Sequence, residues 1–172
     1  MSETRARIQQ CVHREPGIHF NEISRRLDIA TGQSQHHLKR LQRNGRVTRE
    51  EVCGRTHFYP PTYSTWEREA IALLRRETTR EIVAYLLRND HVYPAVLADQ
   101  LGIARSTAEW HLSNLIEYDI AEKRTVTDGS TGRTVVTLTK PDAVYRLLRE
   151  VEPGFTDKLV DRFTRLADEL LD

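Results

Sequence analysis

Between Gln33 and Arg55 the chain sets six Lys or Arg residues against two acids. Thr31, Gln33, Gln35, His36, Lys39 and Arg40 occupy the positions that an apolar stripe of Ser34, Leu38 and Leu41 leaves free, with Arg43 further along. The stripe runs i, i+4, i+7, so it marks one face of a helix. Glutamine amides can pair two-pronged with adenine, and Arg, Lys and His supply phosphate or guanine contacts. Arg46, Arg49 and Arg55 follow near a turn, where they can brace on a nucleic-acid backbone. This is the chemistry of gripping a polyanion, and six phosphate contacts would make it steeply salt-dependent.

Nothing in the chain suits bond-making. There is no Gly-rich phosphate loop, no nucleophile elbow and no HExxH. The carboxylates lie at spacings that suit ion pairs with arginine, as in Glu77 and Arg80. Neither an enzyme nor a cofactor is expected. His36, His37, His57 and Cys53 lie close in sequence, but neighbouring residues on a helix point about 100° apart, which makes His36 and His37 a poor chelating pair. No metal is expected either. Cys11 and Cys53 form no CxxC, which argues against a disulfide framework or a zinc knuckle. Cys53 is read as an incidental small residue at a turn, although Arg49 and Arg55 would give a thiol there an electropositive setting.

The elements that position these residues are read from an internal repeat with an offset of 74 residues and no gap. Leu27/Leu101, Ile29/Ile103, Ala30/Ala104, His37/His111, Leu38/Leu112 and Leu41/Leu115 are identical, and Ile18/Val92, Ile23/Leu97 and Val47/Ala121 stay apolar. In each copy a short helix (Ile23 and Leu27, or Leu97 and Leu101) precedes a tight turn and a second helix. That second helix buries Ser34, Leu38 and Leu41, or Ala108, Leu112 and Leu115. The small Ser34 and Ala108 allow close helix–helix approach. Two short helices joined by a turn, the second with a free polar face, make a helix-turn-helix. A strand–turn–strand pattern follows each, through 53–56 in the first copy and 128–132 in the second, and reads as a wing.

The free face of the second copy differs. It shows Arg105, Ser106, Thr107, Glu109, Trp110, Ser113 and Asn114, and Arg105–Arg133 holds four Lys or Arg against five acids. Arg105, Ser106, Thr107, Lys123, Arg124 and Arg133 can still reach phosphates. Glu109 and Trp110 suit a protein contact better, since aromatic residues are enriched at interfaces. The first copy is therefore expected to be the main reader.

The remaining helices are expected over Arg5–His13, Tyr63–Arg76, Thr78–Leu87 (with a capping box from Thr78 to Glu81), Pro141–Glu150 and Pro153–Leu171. The last carries Phe155, Leu159, Phe163, Leu166 and Leu170 along one stripe. The expected architecture is mainly α with small β-wings. It comprises a winged helix-turn-helix over 1–62, a connecting helix over 63–77, a second winged helix-turn-helix over 78–140 and C-terminal helices over 141–172 that serve dimerisation together with spare apolar surface expected on the connecting helix.

Charge is unevenly spread. Residues 1–60 carry 11 basic against 6 acidic residues, 61–140 carry 10 against 11, and 141–172 carry 5 against 8. A basic front and an acidic rear suit a polyanion partner at one end. No apolar run approaches the length of a membrane span, and the N-terminus lacks the layout of a signal peptide, so a cytoplasmic location is expected.

On PGIHFNEISRRLDIATGQSQHHLKRL (Pro16 to Leu41) and LADQLGIARSTAEWHLSNL (Leu97 to Leu115), each followed by a wing, the sequence resembles the archaeal winged helix-turn-helix regulators, in the broad grouping of the ArsR and MarR types. The resemblance covers most of residues 5–140. It departs from the family where a capping serine normally precedes the second helix, since Ala30 and Ala104 stand there. Losing such a cap costs about 1 kcal/mol, and Thr31 or Ser106 is expected to substitute. The expected function is that of a transcription regulator binding double-stranded DNA as a homodimer, with the transcription machinery as a further partner. The alternative is a tandem winged-helix protein-interaction scaffold in a transcription or chromosome-organising complex.

Overall fold

The computed structural model of the chain describes residues 2–155. They fall in two units, Met1–Arg75 and Arg76–Asp172. The first unit runs α1 (Glu3–Arg14), β1 (Ile18–His19), α2 (Phe20–Leu27), α3 (Thr31–Arg43), β2 (Thr48–Val52), β3 (Arg55–Tyr59) and α4 (Thr65–Leu74). The second runs α5 (Glu77–Arg88), α6 (Pro94–Leu101), α7 (Arg105–Glu117), β4 (Ala121–Asp128), β5 (Thr131–Leu138) and α8 (Pro141–Val151). The fold is mainly α with small β-wings, as the two copies of the pattern imply.

In the first unit Ile8 and Val12 of α1, Ile18, Ile23 of α2, Leu38 and Leu41 of α3, Val47 and Phe58 form one buried core, with Cys11, Phe20, Leu27 and Ile29 packed against it. Burying these side chains contributes about 1.5–3 kcal/mol for each large aliphatic or aromatic group. Ser34 is fully buried where α2 meets α3. The sheet is three-stranded in the order β1-β3-β2. The two-residue β1, too short to show an alternating pattern in the sequence, pairs Ile18 with Phe58 and His19 with His57.

The wing turn is tighter than the sequence suggested. Val52 pairs directly with Arg55, leaving only Cys53 and Gly54, at φ 50° and 74°. Positive φ at both central residues is the type I′ geometry that matches strand twist. The second wing also turns in two residues, since Asp128 pairs with Thr131. Gly129 has φ 71° while Ser130 is not left-handed, the pattern of a type II′ turn.

The repeat is more exact in space than in sequence. Each of α5, α6 and α7 begins and ends 74 residues after α1, α2 and α3. The left-handed positions correspond as well: Asp28 and Gly102 close the α2 and α6 turns, and Gly45 and Asp119 follow α3 and α7. In the second unit Val92 bridges Val136, the counterpart of Ile18 beside Phe58. Ile82, Leu86, Leu97, Leu112, Leu115, Ile120, Val135, Val144 and Leu147 are buried there.

Three local expectations are corrected. Thr78 does not cap a helix: α5 already starts at Glu77, with Arg76 at the cap position and no side-chain cap bond. The capping box belongs instead to Ser64 and Glu67 at the head of α4. Neither Thr31 nor Ser106 replaces the missing caps, because both lie inside their helices and the cap positions, Ala30 and Ala104, make no side-chain cap bond. Finally, α4 has no spare apolar face. Ala70 to Leu74 are all buried, and the helix belongs to the first unit. Tyr59 donates its hydroxyl to the Arg68 carbonyl at 2.6 Å, and Arg68 Nε reaches Glu50 of β2 at 2.9 Å. Of the C-terminal stripe, only Phe155 is described, half-buried beneath the Arg80 guanidinium at 5.6 Å. Leu159, Phe163, Leu166 and Leu170 lie outside the described residues.

Candidate nucleic-acid interface

Helix α3 buries Ser34, His37, Leu38 and Leu41. That leaves Thr31, Gln33, Gln35, His36, Lys39, Arg40 and Arg43 exposed, as the stripe predicts, and Arg46, Arg49 and Arg55 of the following segment and wing are exposed too. Where α3 faces the wing, a cavity of about 440 Å³ opens over Phe20, Leu38 and Phe58, with Gln35, Lys39, Gln42 and Arg49 around it. Gln42 was not singled out in the sequence, although its i+3 spacing from Lys39 puts it on the same side of the helix. A second, more open cavity of about 550 Å³ separates the head of α2 from the wing turn and brings His19, Asn21 and Arg25 next to Arg55. Asn21 and Arg25 were also missed. Their i, i+4 spacing on the exposed side of α2 was the available signal.

The electrostatics of this face distinguish it from its counterpart. Among the described residues, Lys39, Arg40, Arg43, Arg46 and Arg55 form no ion pair; Arg49 alone reaches Glu51, at 3.8 Å, and Thr56, at 3.5 Å. In the second unit the repeat places Glu109, Ser113, Asn114 and Glu117 where the first has Gln35, Lys39, Arg40 and Arg43. Several of its arginines are engaged locally. Arg105 pairs with Glu109 at 3.8 Å and Arg124 with Glu122 at 2.6 Å. The Arg133 guanidinium lies 5.9 Å from the Tyr93 ring centre, and that of Arg76 lies 5.0 Å from the ring of Trp110. Trp110 is 50% exposed. Ser106, Thr107 and Lys123 are exposed as expected.

Two imidazoles near the first site, His37 and His19, are held towards their neutral forms. Burial lowers the pKa of His37, and Arg5, His36 and Arg40 add to the effect. Burial, then Arg55, lowers that of His19. The His19 ring stacks against His57 with centres 4.3 Å apart, and His57 Nδ1 lies 2.6 Å from the Gly17 carbonyl. A carbonyl only accepts, so Nδ1 carries the proton. No group of three or more His, Cys, Asp or Glu able to hold a metal occurs among the described residues.

Comparison with known families agrees with the geometry. Residues 2–71 match a family described as an N-terminal HTH domain, and residues 75–122 match the winged helix-turn-helix DNA-binding family. No curated protein matches the chain. Among solved structures, the DIP2311 protein from Corynebacterium diphtheriae aligns over 79% of this chain and 26% of that one, at 14% identity and a TM-score of 0.30. The chain thus spans about a quarter of that protein's length. No described helix is long and apolar enough to cross a membrane. The two family matches are to DNA-binding domains, not enzymes, and with the duplicated helix-turn-helix and its two wings they make this chain a tandem winged helix-turn-helix protein.

Proposed function

We propose that the protein is a sequence-specific transcription regulator that reads double-stranded DNA mainly through α3 of its first unit. The observation that carries this reading is the set of exposed cations on α3 and its wing that form no ion pair, set against the neutralised face of α7. Helix α3 would enter the major groove with Gln33, Gln35 and His36 at base edges. Lys39, Arg40, Arg43 and the wing arginines would hold phosphates on either side. The working species is a homodimer in this reading, since paired half-sites give a single recognition helix the reach of an operator. Light scattering at monomer mass across micromolar concentrations would remove the dimer.

The test is binding of the purified protein to sheared genomic duplex across a salt series, for wild type and Lys39→Ala/Arg40→Ala. Tight binding that weakens steeply with salt and is lost in the double variant supports the reading. No binding at low salt overturns it. The half-exposed Trp110, beside Glu109 and Glu117 in place of cations, favours a second role for α7 as a protein contact, which brings in the transcription machinery or a larger complex as partner.

A further inference from the structure

His37 lies on the face of α3 turned towards the core and is 9% exposed. Its Nδ1 has no hydrogen-bond partner. Two atoms of α1 are buried in the same condition, the Arg5 Nε donor and the Gln9 Oε1 acceptor. Arg5 and Gln9 stand four residues apart, so they share one face of α1, and the charge of Arg5 bears on His37.

The second unit shows the same place built differently. Seventy-four residues on, Arg5, Gln9 and His37 become Thr79, Val83 and His111. Thr79 is 2% exposed, and its hydroxyl lies 3.1 Å from His111 Nδ1. Val83 is fully buried. The second copy gives its histidine a hydroxyl partner, although Arg76 also acts on it. The first leaves Nδ1 of its histidine unpaired under the charge of Arg5, whose own Nε is buried without a partner.

We propose that neutral His37 is a positioning residue for the DNA-reading helix: it seats α3 on α1, and protonating it loosens α3 and weakens binding to DNA. The inference rests on α3 being the reader. Of the charged and titratable groups on α1, α2 and α3, those acting on His37 are Arg5, His36 and Arg40, all basic. No carboxylate among them can receive the new charge. A proton that the seated helix refuses is accepted once α3 lifts away, so acid favours the lifted state by up to tenfold for each unit by which the two pKa values differ. The direction is diagnostic, because positive charge added on the exposed face of α3 strengthens binding to phosphates.

The test pairs a histidine NMR titration of the full chain without DNA with affinity for sheared genomic duplex from pH 8 to 5.5 at constant ionic strength. The variants are Arg5→Thr, Arg5→Thr/Gln9→Val, which copies the second unit, and His37→Gln. His36→Gln separates the neighbouring ring. In wild type, His37 is expected to titrate below 6.5, with α3 amide resonances moving in step and affinity falling as it does so. In both Arg5 variants the midpoint rises and the acid loss of affinity shrinks; His37→Gln removes the acid loss of affinity that tracks the His37 midpoint. Titration of His37 at or above 6.5, or the same pH profile in wild type and the Arg5 variants, overturns the proposal. Should no duplex bind at any pH, the DNA reading fails by itself, and the coupling of α3 resonances to His37 still decides whether the proton unseats the helix.

Discussion

Ser24 donates its hydroxyl to the Ser34 hydroxyl across 2.9 Å, at the crossing of α2 and α3. Ser34 is fully buried, so its partner is what keeps a hydroxyl tolerable there. The corresponding residues of the second unit are Ala98 and Ala108, both buried. Ser24→Ala alone should therefore cost about 1–3 kcal/mol, the penalty for an unsatisfied buried polar group. Ser24→Ala/Ser34→Ala should recover most of that loss, since removing both partners leaves nothing unpaired. Urea denaturation of the single and double variants measures the coupling. If the double variant loses as much as the two singles added together, the bond does not account for the crossing.

Gly17 is held at φ 82°, and a Cβ there would stand 2.8 Å from Ile71 Cγ2 and 3.3 Å from a ring carbon of Tyr59. Its backbone is committed on both sides: its N–H bonds to the Phe58 carbonyl at 2.8 Å, and its carbonyl accepts from His57. Gly17→Ala should combine a left-handed penalty of about 1–2 kcal/mol with overpacking of about 1–3 kcal/mol. Gly45, at φ 66° with nothing within 4 Å of a Cβ, should show the first cost alone. Thermal unfolding should place Gly17→Ala well below Gly45→Ala, and equal melting temperatures would refute the packing argument.

These two sites show where the sequence was informative and where it stopped. The apolar stripes of α3 and α7 were legible because burial at i, i+4, i+7 repeats in register, and with them came the list of exposed residues. The pairing of α1 with α5 as the first helix of each copy was legible from their order, but its extent was less so. Besides Ile8/Ile82 and a few polar identities, these helices diverge at Arg5/Thr79, Gln9/Val83 and Cys11/Tyr85. Their packing against α3 and α7 makes the equivalence plain. Thr78 and Glu81 offered a capping signal identical in form to that of Ser64 and Glu67. What separates them is whether the chain is already helical one residue earlier, which local spacing does not reveal. The unequal pairing of cations in the two copies was half legible. Net charge showed it in bulk, but the ion pair of Arg105 with Glu109 and the stacking of Arg76 on Trp110 depend on geometry.

Acid should destabilise the chain in a defined window. His19, His37 and His111 all have pKa values lowered chiefly by burial. For a group whose folded pKa is depressed, the unfolded chain takes up its proton first. The stability contribution is whole above the unfolded value of about 6.5 and is lost as pH falls through the lower folded values. Denaturation midpoints should therefore be flat from pH 7 to 8 and fall on acidification below 6.5. His111→Gln should reduce the slope. A midpoint that rises towards pH 5.5 would contradict the sign of all three shifts.

Base reading and backbone grip should separate by residue. Gln35 lies on the α3 stripe that would meet base edges, whereas Arg55 follows the wing turn, beside Arg25 across the open cavity. Gln35→Ala should relax discrimination at one position of a selected operator, by about 1–3 kcal/mol, with little change in salt dependence. Arg55→Ala should instead weaken binding to every duplex alike and lower the salt slope by about 1. Selection of bound sequences from a random pool, followed by salt titrations on the winner and on a scrambled duplex, distinguishes the two. Because Arg55 has no ion-pair partner among the described residues, removing it frees no acid there to repel the backbone, so its loss should be confined to a single phosphate contact. A salt slope unchanged in Arg55→Ala would move the phosphate track away from the wing and onto the far side of α3, towards Arg40 and Arg43.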